Sequence, residues 1–210
     1  MPASDFLRTQ LAGMLVGQPQ LLPTGLPSLP IYIALGTGTG THSRVDLGLF
    51  AEAYNTRLKY SFESVYQAFS SQISTNYTVA NPQGTYTEAG LFDQDVATTS
   101  LTAAVSAGAT SLPVDGSTSP AVYGSTLPGQ YTTIYLNDTT NPEYASLATA
   151  ASAGATTWTL QSGLQYAHAS GTPIVVFVGN LLAAVTFQSG QVNATGQALT
   201  VQFSLLMQST

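Results

Sequence analysis

The sequence predicts an all-β chain with a single N-terminal helix, organised as a β-sandwich-like core that carries an inserted small β-domain. Three observations lead there. Two stretches, starting at Leu58 and at Leu199, alternate apolar with polar side chains at the two-residue period of a half-buried strand. Two blocks, Ile31 to Gly40 (IYIALGTGTG) and Tyr86 to Asp93 (YTEAGLFD), set β-prone apolar residues beside glycine, the pattern of a strand meeting a turn. Between the second block and the last strand, a nine-residue pattern occurs twice.

Taken along the chain, Ser4 is placed to cap a helix in which Leu7, Leu11, Met14 and Leu15 share a face, with Gly17 as terminator. Pro19, Pro23, Pro27 and Pro30 then enforce a stiff, extended connection that no central strand can absorb. Residues 1–30 therefore read as an arm, which either folds back on its own sheet or docks on a neighbouring subunit. In the first block, Gly36, Gly38 and Gly40 call for a tight turn with unusual backbone angles, and Gly90 in the second is read in the same way. Leu58, Tyr60, Phe62 and Tyr66 alternate with Lys59, Ser61, Glu63 and Gln67, which gives a strand with an aromatic face. The last strand places Leu199, Val201, Phe203, Leu205 and Met207 against Thr200, Gln202, Ser204 and Gln208. The core is expected to span 31–97 and 180–210.

The middle of the chain is organised differently. Ser106 to Val114 (SAGATSLPV) matches Ser152 to Leu160 (SAGATTWTL), 46 positions on from Ser106 to Ser152. In each copy a glycine turn leads into a short strand, so two equivalent hairpins are expected, with Trp158 at the position of Leu112. Two copies are too few for a solenoid. A compact inserted β-domain over 98–179 accounts for them better, and Ala167 to Pro173 (AHASGTP) reads as the turn before its final strand.

An N-terminal helix, an ALGTG strand and turn (Ala34 to Gly38), a Leu-x-x-Glu (Leu49, Glu52) followed by Arg57, an EAGLF strand (Glu88 to Phe92) and a closing β-strand occur in that order. This set resembles a small β-rich domain of tail fibre and minor tail proteins of tailed bacteriophages. The resemblance covers 1–97 and returns over 180–210; the sequence departs from it over Thr98 to Gly179, whose AGAT-containing pattern is similar to small β-modules of phage structural proteins. It implies a non-enzymatic virion structural protein, assembled in the host cytoplasm, and a homotrimer, because fibre and decoration proteins of such virions are commonly trimeric.

Composition narrows the function classes. Charged residues make up 7% of the chain, against roughly 25% for an ordinary soluble domain. All four basic residues, Arg8, Arg44, Arg57 and Lys59, precede position 60, and no formal charge follows Glu143. A net charge of −6 without a basic cluster argues against a nucleic-acid partner. Uncharged β-edges are poorly protected against pairing, which favours obligate assembly with other copies or other virion proteins. No cysteine is present, so neither a disulfide framework nor a thiolate metal site is expected. The most apolar stretch, Ile174 to Val185, is broken by Gly179 and Asn180 and falls short of the roughly 20 residues of a membrane span, so no membrane partner is expected. Asp5, Thr9 and Gln10 likewise break any signal-peptide pattern.

Catalytic chemistry is sparse, and no catalytic, cofactor-binding or metal-binding residue is assigned. Gly36, Gly38 and Gly40 do not have dinucleotide-loop spacing, and no helix opens after them. His42 and His168, the only histidines, both lie in turn-like sequence and read as turn residues. Glu52 with Glu63, or Asp93 with Asp95, could take glycosidase spacing. Pairing of Glu52 with Arg57 or Arg44, and satisfaction of backbone donors by Glu88, are the preferred readings. Asp93 and Asp95 could also meet a hard cation, but the remaining ligands of a calcium loop are missing. Asn76, Asn137 and Asn193 begin sequons that a threonine-rich chain produces by chance. Tyr77, Tyr86, Tyr123, Tyr131, Tyr135, Tyr144, Trp158 and Tyr166 fall outside the best core strands and could serve a partner or a sugar. The expected function is thus a tail, fibre or baseplate component. A capsid decoration or head-fibre protein is the alternative within the class, and a host-glycan-binding module is the alternative outside it.

Overall fold

The computed structural model describes residues 32–59, 61–67, 70–78, 80–195 and 198–206. All its regular elements are β-strands, so the chain is all-β over the described residues. The helix and proline-rich arm expected over 1–30 lie outside them. In chain order the strands are β1 Tyr32–Gly36, β2 Leu58–Lys59, β3 Ser61–Gln67, β4 Ser70–Tyr77, β5 Gly84–Phe92, β6 Ala97–Ser100 and β7 Ser111–Pro113. They continue with β8 Thr133–Leu136, β9 Glu143–Ser146, β10 Thr157–Thr159, β11 Pro173–Val176, β12 Leu181–Asn193 and β13 Leu199–Leu206. Two compact units result: one holds the chain to Arg44 with Leu49–Gln94 and Asn180–Thr210, the other Val45–Gly48 with Asp95–Gly179.

In the first unit the two glycine-containing blocks become antiparallel neighbours, β1 running along β5 from Tyr32 opposite Phe92 to Gly36 opposite Glu88. β12 joins the far side of β5 and β2 the far side of β1, giving the order β12-β5-β1-β2. Alternation sends Ile33, Leu35, Ala89 and Leu91 into one core with Tyr77, Val201 and Phe203 of the second sheet, β13-β4-β3. Ala34, Phe92, Leu181 and Ala184 gather with Leu49 in a separate cluster. Burial on both faces explains why YIAL and AGLF read as unbroken apolar runs.

Gly90 sits inside β5 and not at a turn, which corrects the expectation for that block. A Cβ there would meet Leu49, Leu181 and Phe92 at 2.9 Å each, so glycine is required by close side-chain approach. Leu58 pairs with Ile33 in the first sheet, whereas β3 pairs with β4 in the second, so the alternating run from Leu58 contributes to both sheets. β13 follows its expected alternation, with Val201 and Phe203 buried and Thr200 and Gln202 exposed.

The second unit has an internal two-fold relation far longer than the sequence repeat. Its sheet has the order β6-β11-β8-β9, and exchanging β6 with β9 and β8 with β11 reproduces the order. Registers obey the same exchange: Ala97 lies opposite Val176 as Glu143 lies opposite Leu136, and Ser100 opposite Pro173 as Ser146 opposite Thr133. Isolated bridges repeat it too, Leu101 to Val114 matching Leu147 to Leu160 and Val105 to His168 matching Ala151 to Val122. Gly108 and Gly154 close equivalent turns with φ of 82° and 84°, a conformation that costs glycine nothing.

Each copy closes an antiparallel pair of its own, Leu101 against Val114 with Thr102 N–H donating to the Pro113 carbonyl, and Leu147 against Leu160 with Ala148 N–H donating to the Thr159 carbonyl. β7 and β10 also pair with each other across the copies, Leu112 directly opposite Trp158. That pair is fully buried with Leu101, Leu136, Leu147 and Ile174 in one core. The copies differ most in the link to their last strand, Tyr123–Thr132 in the first and the shorter Ala169–Thr172 in the second. Val45–Gly48 belongs with this unit and not with the core assigned from sequence, because the N–H groups of Leu47 and Gly48 both donate to the Gly129 carbonyl in the longer link.

Leu112→Ala should remove the contact on the two-fold axis and destabilise the second unit by about 2–5 kcal/mol, the usual cost of such a cavity. Trp158, the only tryptophan, reports it directly. The urea midpoint of its emission should fall, with a red shift in the native spectrum.

Candidate functional site

The ionisable groups with a built environment form clusters, one set in each unit. In the first unit, Glu88 on β5 is 0% exposed, and a carboxylate so buried requires donors. Its Oε1 accepts from the N–H of Gly38 (3.0 Å) and Ala51 (2.8 Å), and its Oε2 from the N–H of Phe50 (3.1 Å). His42 Nε2 lies 2.9 Å from Oε2. Because the carboxylate acts only as acceptor here, that nitrogen is assigned as the donor. The imidazole stacks on Phe50 at 4.1 Å between ring centres. The sequence expectation that Glu88 satisfies backbone donors therefore holds, but the donors come from two other segments and not from a turn of its own.

Glycine at 36 and 38 has a related cause. A Cβ on either would run into the Glu88 side chain, and only Gly40 of the three has positive φ, at 149°. The loop does gather N–H groups around an anion, and that anion is the chain's own carboxylate. Beside it, Glu52 and Arg57 form a buried two-pronged pair at 2.9 and 2.6 Å, with the guanidinium 3.9 Å above the Phe92 ring and a third bond to the Gln94 carbonyl. Arg44, the other partner considered for Glu52, is exposed. Thr56 Oγ1 accepts from Leu35 N–H and lies within hydrogen-bonding reach of the Leu35 and Ala53 carbonyls, fixing the same segment to β1.

In the second unit His168 is enclosed by two carboxylates, Nδ1 3.1 Å from Asp138 and Nε2 2.7 Å from Glu143. Both acids are themselves held by backbone N–H groups, Asp138 by Thr140 and Asn141, Glu143 by Gln165 and Tyr166. The set is fully satisfied when both ring nitrogens carry hydrogen. The Thr140 N–H, followed by the His168 ring and the Asn141 N–H, holds the Asp138 carboxyl below its ordinary value of 3.8. With both nitrogens engaged and its side chain sealed from solvent, His168 is a clamp between the β8–β9 loop and residues 165–168.

The two-fold relation shows what this clamp adds. Positions equivalent to Asp138, Glu143 and His168 hold Val178, Ala97 and Val122, all packed on the apolar core. The same scaffold therefore closes one end with apolar contacts and the other with a buried ionic network. Both histidines, read from sequence as turn residues, are buried hydrogen-bond partners of carboxylates instead. The signal was present: a chain with so few charges places Glu88 inside an apolar strand, where a partner is obligatory.

The remaining candidates are dispersed. Asp93 accepts from the backbone and side-chain amides of Asn180, whereas Asp95 accepts from Val96 N–H. Glu63 lies on β3, and Glu52 is already occupied by Arg57. Asn193 is buried and donates to the Thr78 and Pro82 carbonyls, which leaves its sequon inaccessible. Three of the aromatics that fall outside the best core strands of the sequence are buried: Trp158, as its repeat position opposite Leu112 leads one to expect, Tyr86, and Tyr77, whose hydroxyl donates to the Ile33 carbonyl at 2.9 Å. Burial, with the charge of Glu52 second, pushes the Tyr77 phenol well above its ordinary range. Tyr123, Tyr144 and Tyr166 are exposed. Set against known protein families, curated proteins and solved structures, the chain matches none of them.

Glu88→Gln should destabilise the first unit by about 3 kcal/mol, because the amide nitrogen must face N–H donors on one side of the site. The loss should appear in far-UV circular dichroism at lower urea, with the Trp158 transition unmoved. Acid stability of the second unit should depend on Asp138. Its folded value is depressed, so its contribution is complete above the unfolded value of 3.8 and is lost as pH falls through the lower folded value. Asp115, depressed by hydrogen bonds from Ser117, acts in the same sense. Asp138→Asn should therefore lower the Trp158 urea midpoint at neutral pH and flatten, without abolishing, its fall between about pH 5 and pH 2.

Proposed function

We propose that this protein is a non-enzymatic structural component of a tailed-bacteriophage virion, built into the tail as a fibre, baseplate or minor tail subunit. The observation that carries the reading is the Glu88 site. The segments that resemble the phage tail domain (ALGTG, the Leu49 to Arg57 stretch and EAGLF) are the walls of one buried carboxylate cluster. Their co-occurrence thus has a single physical cause, which makes the ordered set more telling than any of its parts. The first unit reads as β-sandwich-like, since residues of both its sheets meet in one core.

Assembly is the mechanism we assign. β12 and β13 lie at the ends of their sheets and contain no charged residue and no proline, the usual protections of an exposed edge. Edge pairing with neighbouring copies, aided by the arm over 1–30, would bury them, and a homotrimer is the state this reading expects. Capsid decoration is the alternative location on the particle, to be separated by imaging the virion.

Light scattering on the purified chain should give three times the chain mass. Gln202→Lys with Thr200→Lys, on the exposed side of β13, should shift it toward monomer, as should a chain starting at Ile31. A monomer for the parent chain across the micromolar range would remove the self-assembly mechanism.

A further inference from the structure

We propose that Tyr135, Tyr144 and Phe177 form a platform for a neutral pyranose, on the face of the second unit's sheet opposite its core. Ile134, Leu136, Ile174 and Val176 point into the core, so their neighbours Tyr135 and Phe177, and Tyr144 opposite Tyr135, project from the other face. The Phe177 ring lies within 17° of the Tyr144 plane at 6.2 Å between centres, and Tyr135, 4.8 Å from Tyr144, is tilted 49° to it as a side wall. Tyr144 is 48% exposed, unlike the core aromatics Trp158 and Tyr77.

The internal two-fold supplies an independent argument. Thr98, Val175 and Asn137 occupy the positions equivalent to Tyr144, Tyr135 and Phe177, so the scaffold does not require rings there. Tyr144 directly follows Glu143, so the Asp138–His168–Glu143 clamp fixes the β8–β9 loop beside the platform. A rigid, preorganised support is what a weak stacking site needs.

The surroundings select the ligand. The acids next to the platform, Asp138 and Glu143, are committed to His168 and to backbone N–H groups. No lysine or arginine follows Lys59, so the second unit offers no cation for an acidic ligand apart from the enclosed His168. Three rings are also far smaller than the roughly 800 Å² per partner of a stable protein interface. An uncharged sugar, with an apolar C–H face to lie on the rings and hydroxyls for Tyr and nearby Thr and Ser groups, fits that combination. The site does not depend on the assembly reading.

Saturation-transfer NMR on the full chain, with neutral methyl hexopyranosides (gluco, galacto and manno) and methyl glucuronide as the charged comparison, tests it. Transfer to at least one neutral glycoside is expected, and more weakly to the glucuronide. Tyr144→Thr, which installs the residue tolerated at the equivalent position, should weaken binding about ten-fold. Tyr144→Phe should retain binding, and Tyr123→Ala, at an exposed tyrosine in the longer link, should leave it unchanged. An unaltered Trp158 emission spectrum in each variant establishes that the core is intact. Absence of transfer from all neutral glycosides, or transfer that persists in Tyr144→Thr, would overturn the proposal. So would a change of oligomeric state in Tyr144→Thr without sugar binding by the parent chain, which would assign the face to a subunit contact.

Discussion

A single buried carboxylate sets the local architecture of the first unit. Glu88 sits on β5 at the start of its buried run Ala89–Phe92, and its oxygens are reached by three backbone N–H groups and one imidazole. None of those donors can leave without stranding a charge away from water. The loop after β1 and the segment around Phe50 are therefore fixed to β5, and to each other. Glycine at 36 and 38 follows from the room the carboxylate takes, and the Phe50 ring over His42 follows from the need to keep water off the pair. Glu52 with Arg57 and Thr56 with Leu35 extend the same constraint along the segment.

The second unit is held on a different principle. Its order comes from repetition: two strand sets interlock so that each lends a central strand beside the other's edge strand. Buried Leu112 and Trp158 meet where the copies meet, although the Trp158 N–H finds no acceptor among the described residues. Such a unit works as its own control, since any position can be compared with its equivalent. By that comparison the His168 clamp and the rings of Tyr135, Tyr144 and Phe177 are additions to a frame that stands without them.

These two principles suit a protein whose proposed task is to assemble. With 7% charged residues the chain has few charges with which to guard a strand edge. Part of its charge is committed internally, in Glu88–His42, Glu52–Arg57 and Asp138–His168–Glu143.

All-β character was legible in the sequence because a strand's two-residue period is local, and the alternation at Leu199 to Phe203 needs no tertiary information. The glycine turns of the AGAT repeat were legible for the same reason, and the Glu52–Arg57 pair because only four basic residues exist to choose from. The partners of Glu88 and His168 were not, since they lie 46 positions away at His42 and 25 away at Glu143, and nothing local marks which loop will deliver them. Gly90 was misread because a glycine needed for a neighbour's side chain looks identical in sequence to a glycine needed for a turn. The two-fold of the second unit shows in sequence where both copies keep SAGAT and at scattered identities such as Ser100–Leu101 with Ser146–Leu147; elsewhere it survives in hydrogen-bond registers, with Ala97 standing for Glu143 and Val122 for His168. Sequence by itself determined the periodicity and the poverty of charge. Which buried group meets which was decided only by the tertiary structure, because burial turns every unpaired charge or N–H into a cost that distant segments must remove together.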